Sequence, residues 1–484
     1  MTGAQSPVPV PVPAHAPVPV PVPVQAPVPA SVPLACPALH EHGFTAAARR
    51  LTTPDGPALR PVTLGGGLRA WAATDPALAR GVLTDPRLTN DIGELGGPVQ
   101  GFPDRRYPED FFAHAPQLLS ASGERHRGLR RIVAPYFTAA ATERTGARLR
   151  DVMARIIGSL AGRDRIDLVT DLALPLAGAT AGEILGIVPE RCDAAVTAAL
   201  AASGAVPGTE EARSAHRVFA QTVLHIIGAA RRSPVPTAAT ALLGARQSGR
   251  IGNAELAGML GMLLIGTVDS LSTVVPAGAL MALRRPEVRH GLGDGHGRGP
   301  AYTTAVTEEI LRLNPPFQHT GWRFTRDDCA LAGVPLPRGA VVVTSVLAAN
   351  LHSATWPDPL RADPLRADPL RSDPLRAETL RTDPPRADPP RVAGPRRTAP
   401  GHLSFGHGPH YCLGAALGRQ LVREALTGLF RRFPGLSLAV PLGELSWHGT
   451  CLRRLDRLPV DTGTGTGTAT GTQGLSREWR EGIR

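Results

Sequence analysis

Apolar and polar positions along the chain fall into distinct regimes. From Leu256 to Leu283 nearly every position is apolar, a run long enough to cross a bilayer as one helix. Thr267, Asp269, Ser270, Ser272 and Thr273 interrupt it and Pro276 lies inside it, so a helix buried in a large soluble domain fits better than a membrane span. From Leu413 onward the apolar residues fall at 417, 421, 425, 426 and 429, one face of a 3.6-residue period, which predicts an amphipathic helix. Two shorter runs, Leu68–Ala73 and Ala340–Ser345, read as strands. Together these elements predict a mainly α protein with a small β portion.

Three segments lack any such pattern. Residues 7–33 alternate Pro with Val or Ala; proline fixes φ and removes a donor, so 1–37 is expected to be an extended, polyproline-like disordered tail. Residues 358–392 repeat a pentad (DPLRA, DPLRA, DPLRS, DPLRA, ETLRT, DPPRA, DPPRV). A proline in nearly every unit rules out a helix or a central strand, leaving an expanded surface loop. From 462 to 474 Thr and Gly alternate, and 461–484 is expected to be a second disordered tail. One folded domain over 38–460, carrying the 358–392 insertion, remains.

Composition narrows the class. With 484 residues, 42% hydrophobic and 19% charged, the chain is ordinary for a globular protein and cannot be collagenous or wholly low-complexity. The 52 basic against 41 acidic residues give a net charge of +11, and every basic residue is arginine. No arginine-rich run with interleaved aromatics appears, so the excess reads as a docking face or an arginine-rich proteome and not as nucleic-acid binding. Five cysteines (36, 192, 329, 412, 451) stand apart with no C-x-x-C pair, which excludes a disulfide framework and a four-ligand zinc site and fits a reducing compartment. No basic region followed by an apolar segment opens the chain, so no secretory signal is read and a cytoplasmic location is expected.

The chemistry concentrates around Cys412. In Phe405-Gly-His-Gly-Pro-His-Tyr-Cys412-Leu-Gly414, three glycines and a proline make a tight loop whose amides can face one atom, and a helix follows at once. Loop amides and the helix N-terminus would stabilise a thiolate, suited to a soft metal; a buried structural cysteine in a turn is the plainer alternative. The decamer closely resembles the haem-binding loop of the cytochrome P450 family. That resemblance implies Cys412 as the axial ligand of haem b, iron-protoporphyrin IX, with Phe405, Gly406, His410 and Gly414 shaping the cofactor site.

Further motifs resemble the same family. Glu309-Ile-Leu-Arg312 matches its E-x-x-R pair, which braces the cysteine loop through a third, arginine-bearing segment. Here the pentads stand in that place, and counting from either end gives Arg391 or Arg361 as the third partner. His126 and Arg130, four apart in GERHRGLRRIV, share one helix face and match positions that bind haem propionates, as do Arg323 and His410. Leu263-Leu-Ile-Gly266-Thr267-Val268-Asp269-Ser270 matches the oxygen-binding stretch. Asp269 keeps its acid, Ser270 replaces the usual threonine, and Thr267 replaces a glycine, narrowing the groove or adding a hydroxyl.

The resemblance implies a soluble haem-thiolate monooxygenase that inserts one oxygen atom into an apolar or amphipathic organic small molecule, with no membrane or nucleic-acid partner. Electrons would come from a separate ferredoxin and ferredoxin reductase, docking on arginines over Cys412 such as Arg419. A haem-free partner protein and a peroxide-using enzyme are the rivals; the intact loop and pair oppose the first, Asp269-Ser270 the second. The substrate pocket is expected between Asn90 and Ser122 (Phe102, Phe111, Phe112), near 200–215, and at Pro315-Pro316-Phe317-Gln318.

Overall fold

The structure is a computed structural model; it describes residues 56–64, 68–96, 116–206, 209–293, 299–353, 355, 401–448 and 452–463, with the backbone of 32–33. Its helices, in order, are α1 (Pro76–Thr84), α2 (Gly123–Val133), α3 (Ala139–Ser159), α4 (Leu174–Leu185), α5 (Pro189–Gly204), α6 (Glu210–Arg232), α7 (Ala238–Gln247), α8 (Asn253–Arg284), α9 (Pro286–Leu292), α10 (Gly299–Leu313), α11 (Val346–Asn350) and α12 (Ala415–Arg432).

The long apolar run becomes α8, where Glu255 in the first turn accepts the N–H of the N-cap Gly252 at 2.8 Å. Although long and apolar enough for a membrane span, α8 is buried along most of its length among α4, α5, α6, α7, α9, α10 and α12. An apolar surface all round, packed on every side by protein, is the mark of a central core helix. The amphipathic segment becomes α12, with 417, 421, 425, 426 and 429 all buried; it starts two residues later than the apolar pattern because Gly414 occupies its N-cap.

The main sheet combines β1 (Val32–Pro33), β2 (Leu59–Thr63), β3 (Arg69–Ala73), β4 (Leu88–Thr89), β6 (Arg323–Thr325) and β9 (Val341–Thr344) in the order β1-β2-β3-β9-β6-β4. β9 runs parallel to β3 and antiparallel to β6. All four β9 residues are buried, as a strand covered on both faces requires. Val342, with Ala79 and Val82 of α1 and Val346 and Ala349 of α11, fills one side; Val341 and Val343 join Phe324 on the other. A second sheet pairs β10 (Ser437–Leu438), β13 (Pro459–Asp461) and β5 (Arg165–Asp167). Two hairpins complete the set: β7 (Cys329–Leu331) with β8 (Val334–Leu336), and β11 (Trp447–His448) with β12 (Arg454–Leu455).

Described residues reach into both segments expected as tails. Val32 and Pro33 pair in parallel with Val62 and Thr63; an edge position tolerates the proline because it needs no donor there. At the other end Asp461 lies in β13, Arg165 Nε donates to it at 2.9 Å, and Thr462 is fully buried with its hydroxyl on the Arg163 carbonyl at 2.7 Å. The pentads, with Arg361 and Arg391, and Phe102, Phe111 and Phe112 lie outside the described residues.

Two helical glycines separate backbone propensity from packing. A Cβ on exposed Gly81 meets nothing within 4 Å, whereas on Gly278 it would sit 2.8 Å from Leu426 Cδ1 and 2.9 Å from Ile310 Cγ2. Gly81→Ala is therefore expected to stabilise by up to about 1 kcal/mol. Gly278→Ala, forcing α8 away from α10 and α12, is expected to lose about 1–3 kcal/mol despite the same propensity gain. Urea unfolding of both variants checks this; equal stabilisation of the two would contradict the packing described.

Candidate functional site

Between Leu403 and Gly414 the chain closes on itself. Gly406 N–H donates to the Leu403 carbonyl at 2.8 Å, Tyr411 N–H to Gly408 at 3.0 Å, and Cys412 N–H to Phe405 at 2.9 Å. Gly406 and Gly408 hold φ of 73° and 70°, the left-handed region that side chains disfavour. At Gly408 there is no room either: a Cβ would lie 2.5 Å from Thr84 Cγ2 and 3.3 Å from the Leu83 carbonyl. The loop thus seats directly on the last turn of α1.

Cys412 keeps an exposed edge. Protein crowded behind its sulfur raises the thiol above its ordinary value, outweighing the Gly414 amide, Arg130 and Arg419, which pull it down. The sequence led us to expect loop and helix dipoles to settle a thiolate. They act in that sense, but burial is larger, so a thiolate here needs a cation at the sulfur itself.

Beside the loop four nitrogen-bearing side chains converge. α2 places His126 and Arg130 on one face; Arg323 comes from β6 and His410 from the loop. The His126 and His410 rings lie 4.1 Å apart, and Arg130 Nη2 donates to the Tyr411 carbonyl at 2.9 Å. Arg323, buried, donates through Nη2 to the Leu83 carbonyl at 2.9 Å, and burial brings it down to about 10. Burial, then the neighbouring His126, Arg323 and Arg130, push His410 down to about 3, and burial with the same arginines lowers His126, so both rings are neutral at pH 7. His126 Nε2 and His410 Nδ1 are buried without a hydrogen-bond partner. Polar atoms this deep are normally paired, and two orphaned nitrogens between two guanidinium groups fit an acidic, acceptor-rich ligand: the two carboxylates of a haem.

On α8, Asp269 is buried at 1% exposure. Its Oδ1 accepts from Ser203 Oγ of α5 at 2.9 Å and lies 3.7 Å from Arg454 Nη1 of β12. Burial raises its carboxyl to about 7, with Arg454 and Ser203 opposing the rise. Thr267 turns its hydroxyl onto the Leu263 carbonyl at 2.8 Å, and Ser270 is half-buried on the next turn. Further along, Thr273 and Ala277 line a small cavity with Asn314, Pro315, Gln318 and Arg453, bringing the expected Pro315–Gln318 turn against α8. Sequence reasoning missed Ser203 and Arg454; they lie 66 residues before Asp269 and in a separate hairpin, with no local motif.

The Glu309–Arg312 pair is wholly buried, Nε and Nη2 of Arg312 donating to the two carboxylate oxygens at 2.7 and 2.8 Å. Arg312 Nη1 continues to the Asn350 carbonyl at 3.0 Å. Asn350 Nδ2 donates to the Arg312 carbonyl (3.1 Å) and to Ser404 Oγ (2.9 Å), and its Oδ1 accepts from Leu403 N–H (2.7 Å). Among the described residues Asn350 and Ser404 therefore carry the pair's hold on the cysteine loop. Arg419 is no loose docking cation: it is half-buried, with Nε and Nη2 on Glu308 at 2.7 and 3.2 Å.

The family model Cytochrome P450 matches residues 301–437, which include most of α10 and the cysteine loop. The Cytochrome P-450 monooxygenase DoxA of Streptomyces peucetius subsp. caesius is 30% identical, over 81% of this chain and 88% of its own length. Mycinamicin IV hydroxylase/epoxidase of Micromonospora griseorubida is 29% identical, over 87% and 96%. The structure of CYP154A1 from Streptomyces coelicolor A3(2) superposes with a TM-score of 0.72 at 26% identity, covering 89% of this chain and all of that one. An orphaned propionate-type cradle beside a loop cysteine, a buried E-x-x-R brace and similarity along nearly the whole folded region agree: the chain belongs to the cytochrome P450 family, and it is a monooxygenase of that family.

Proposed function

We propose that residues 38–460 form one domain that holds haem b, with Cys412 as the iron ligand and His126, Arg130, Arg323 and His410 receiving the two propionates. Phe405, Gly406 and Gly414 shape the loop, and the Glu309–Arg312 pair holds it, with Arg391 as its expected further partner. The reaction is hydroxylation or epoxidation of an apolar or amphipathic organic molecule in secondary metabolism. A separate cytoplasmic ferredoxin and its reductase supply electrons. The observation that carries this reading is the pair of buried, unpartnered imidazole nitrogens set between two guanidinium groups beside the one cysteine of the loop.

When bound, the haem supplies dioxygen activation; the chain supplies positioning and protons. Asp269, poised at about 7, holds or releases a proton at its carboxylate near physiological pH. Ser203 donates to Oδ1 and Arg454 stands beside it, so the carboxyl is oriented in either state. Ser270, the next residue, is the relay alcohol; Thr267 spends its hydrogen on its own helix and serves mainly to narrow the groove. Pro315, Gln318 and Thr273 form one wall against which substrate packs, and by excluding water there they favour oxygen insertion over unproductive reduction.

Reduced protein treated with carbon monoxide is expected to show the red-shifted Soret band of thiolate-ligated haem, absent in Cys412→Ser. A wild-type protein without haem absorbance would remove the monooxygenase reading and favour the haem-free partner protein. Asp269 gives a second expectation. The folded state keeps its proton up to pH about 7 where the unfolded chain loses it near 3.8, so the folded state binds more protons in that window and stability falls as pH rises through it. Asp269→Asn, which has no charge to bury, is thus expected to gain on wild type between pH 4 and 8 by about 2–4 kcal/mol in chemical denaturation. A difference that stays flat with pH would show that Asp269 does not titrate in this range.

A further inference from the structure

Two adjacent glutamates of α10 hold the cysteine loop from different sides. Glu309 reaches its start through Arg312 and Asn350. Glu308 works through α12: besides its two bonds to Arg419, its Oε2 accepts from His402 Nε2 at 3.1 Å. Ser404 N–H donates to Nδ1 of the same ring, which leaves Nε2 carrying the hydrogen. Arg419 spends its third nitrogen on the Tyr411 hydroxyl at 3.1 Å and lays its guanidinium over the Phe405 ring, 4.3 Å from the centroid.

Phe405 and Tyr411 are the two ends of the loop that presents Cys412. The Phe405 carbonyl holds the Cys412 amide at 2.9 Å, and Tyr411 is the residue before it. A permanent cation thus rests against two residues of the loop that presents Cys412, and Glu308 is its counter-ion. Burial alone would raise Glu308, but His402 and Arg419 bring it down to about 2, so both partners stay charged at any working pH.

We propose that Glu308 and Arg419 are positioning residues that set how much negative charge the Cys412 sulfur keeps, and through it the reduction potential of the iron centre. This rests on Cys412 being the iron ligand. A cation beside the sulfur favours the reduced, more negative centre and raises the potential; Glu308 behind it subtracts part of that effect. The two side chains form one ion pair yet carry opposite signs of influence.

That opposition separates charge from mere support of the loop. The midpoint potential of haem-loaded protein is measured by spectroelectrochemical titration, with the carbon-monoxide band recorded to confirm thiolate ligation. Arg419→Gln is expected to lower the potential, displacing the ferric–ferrous equilibrium severalfold toward ferric, and Glu308→Gln to displace it the other way. Arg419→Lys, which keeps the charge, should stay near wild type. Shifts of the same sign in the two glutamine variants, or none in either, with the thiolate band retained, would overturn the proposal. Should Arg419→Gln not load haem, the isosteric Glu308→Gln decides alone: a rise supports the proposal, no change or a fall overturns it. A wild-type protein without the thiolate band would instead overturn the ligand assignment on which it rests.

Discussion

The buried ion pair between Glu309 and Arg312 is the constraint around which the site is organised. An i, i+3 pair on a helix surface is worth a few tenths of a kcal/mol. This one is sealed from water, where removing a single partner would strand a charge at a cost of about 3–5 kcal/mol. Two apolar residues could fill the same volume, so net stability does not account for the pair. A further Arg312 donor does: Nη1 fixes Asn350, which fixes Leu403 and Ser404, where the cysteine loop begins. The pair converts the rigidity of α10 into the rigidity of a glycine-rich loop that has little of its own.

Around that anchor the site gathers positive charge. Desolvation depresses two histidines, and Arg130 and Arg323 lie close enough to depress them further. Such a cluster is unfavourable by itself and becomes favourable when anionic groups enter it. The seat of Gly408 on α1 and the Arg323 bond to the Leu83 carbonyl tie loop, sheet and helix to the same spot, so a ligand bridging them would tighten the fold as it binds.

Much of this was legible in the chain. Helix α8 follows from a long apolar run and α12 from apolar periodicity, and Cys412, Glu309, Arg312, His126 and Arg130 stand in short local motifs that one helix or one loop brings together. What stayed hidden depends on distant pairings. Ser203 and Arg454 meet Asp269 only because α5 and the β11–β12 hairpin both pack on α8, and no spacing rule carries that. Asn350 sits in a short buried helix with nothing in its sequence to single it out. Arg419, expected as a docking cation over Cys412, is held by Glu308, which lies on another helix. The thiol's raised pKa was also out of reach, since local dipoles can be counted from sequence and desolvation cannot.

The bond between Asn350 Oδ1 and Leu403 N–H joins residues 53 apart, and about two thirds of the chain between them is pentads. Clamping both ends of that span fixes the framework whatever its length. Loop-closure entropy grows only as the logarithm of length, about 0.6 kcal/mol per doubling, so gaining or losing one pentad changes stability by roughly 0.1 kcal/mol. In closure entropy alone, a change of copy number by whole units is therefore nearly free, and the clamped residues on either side stay in register.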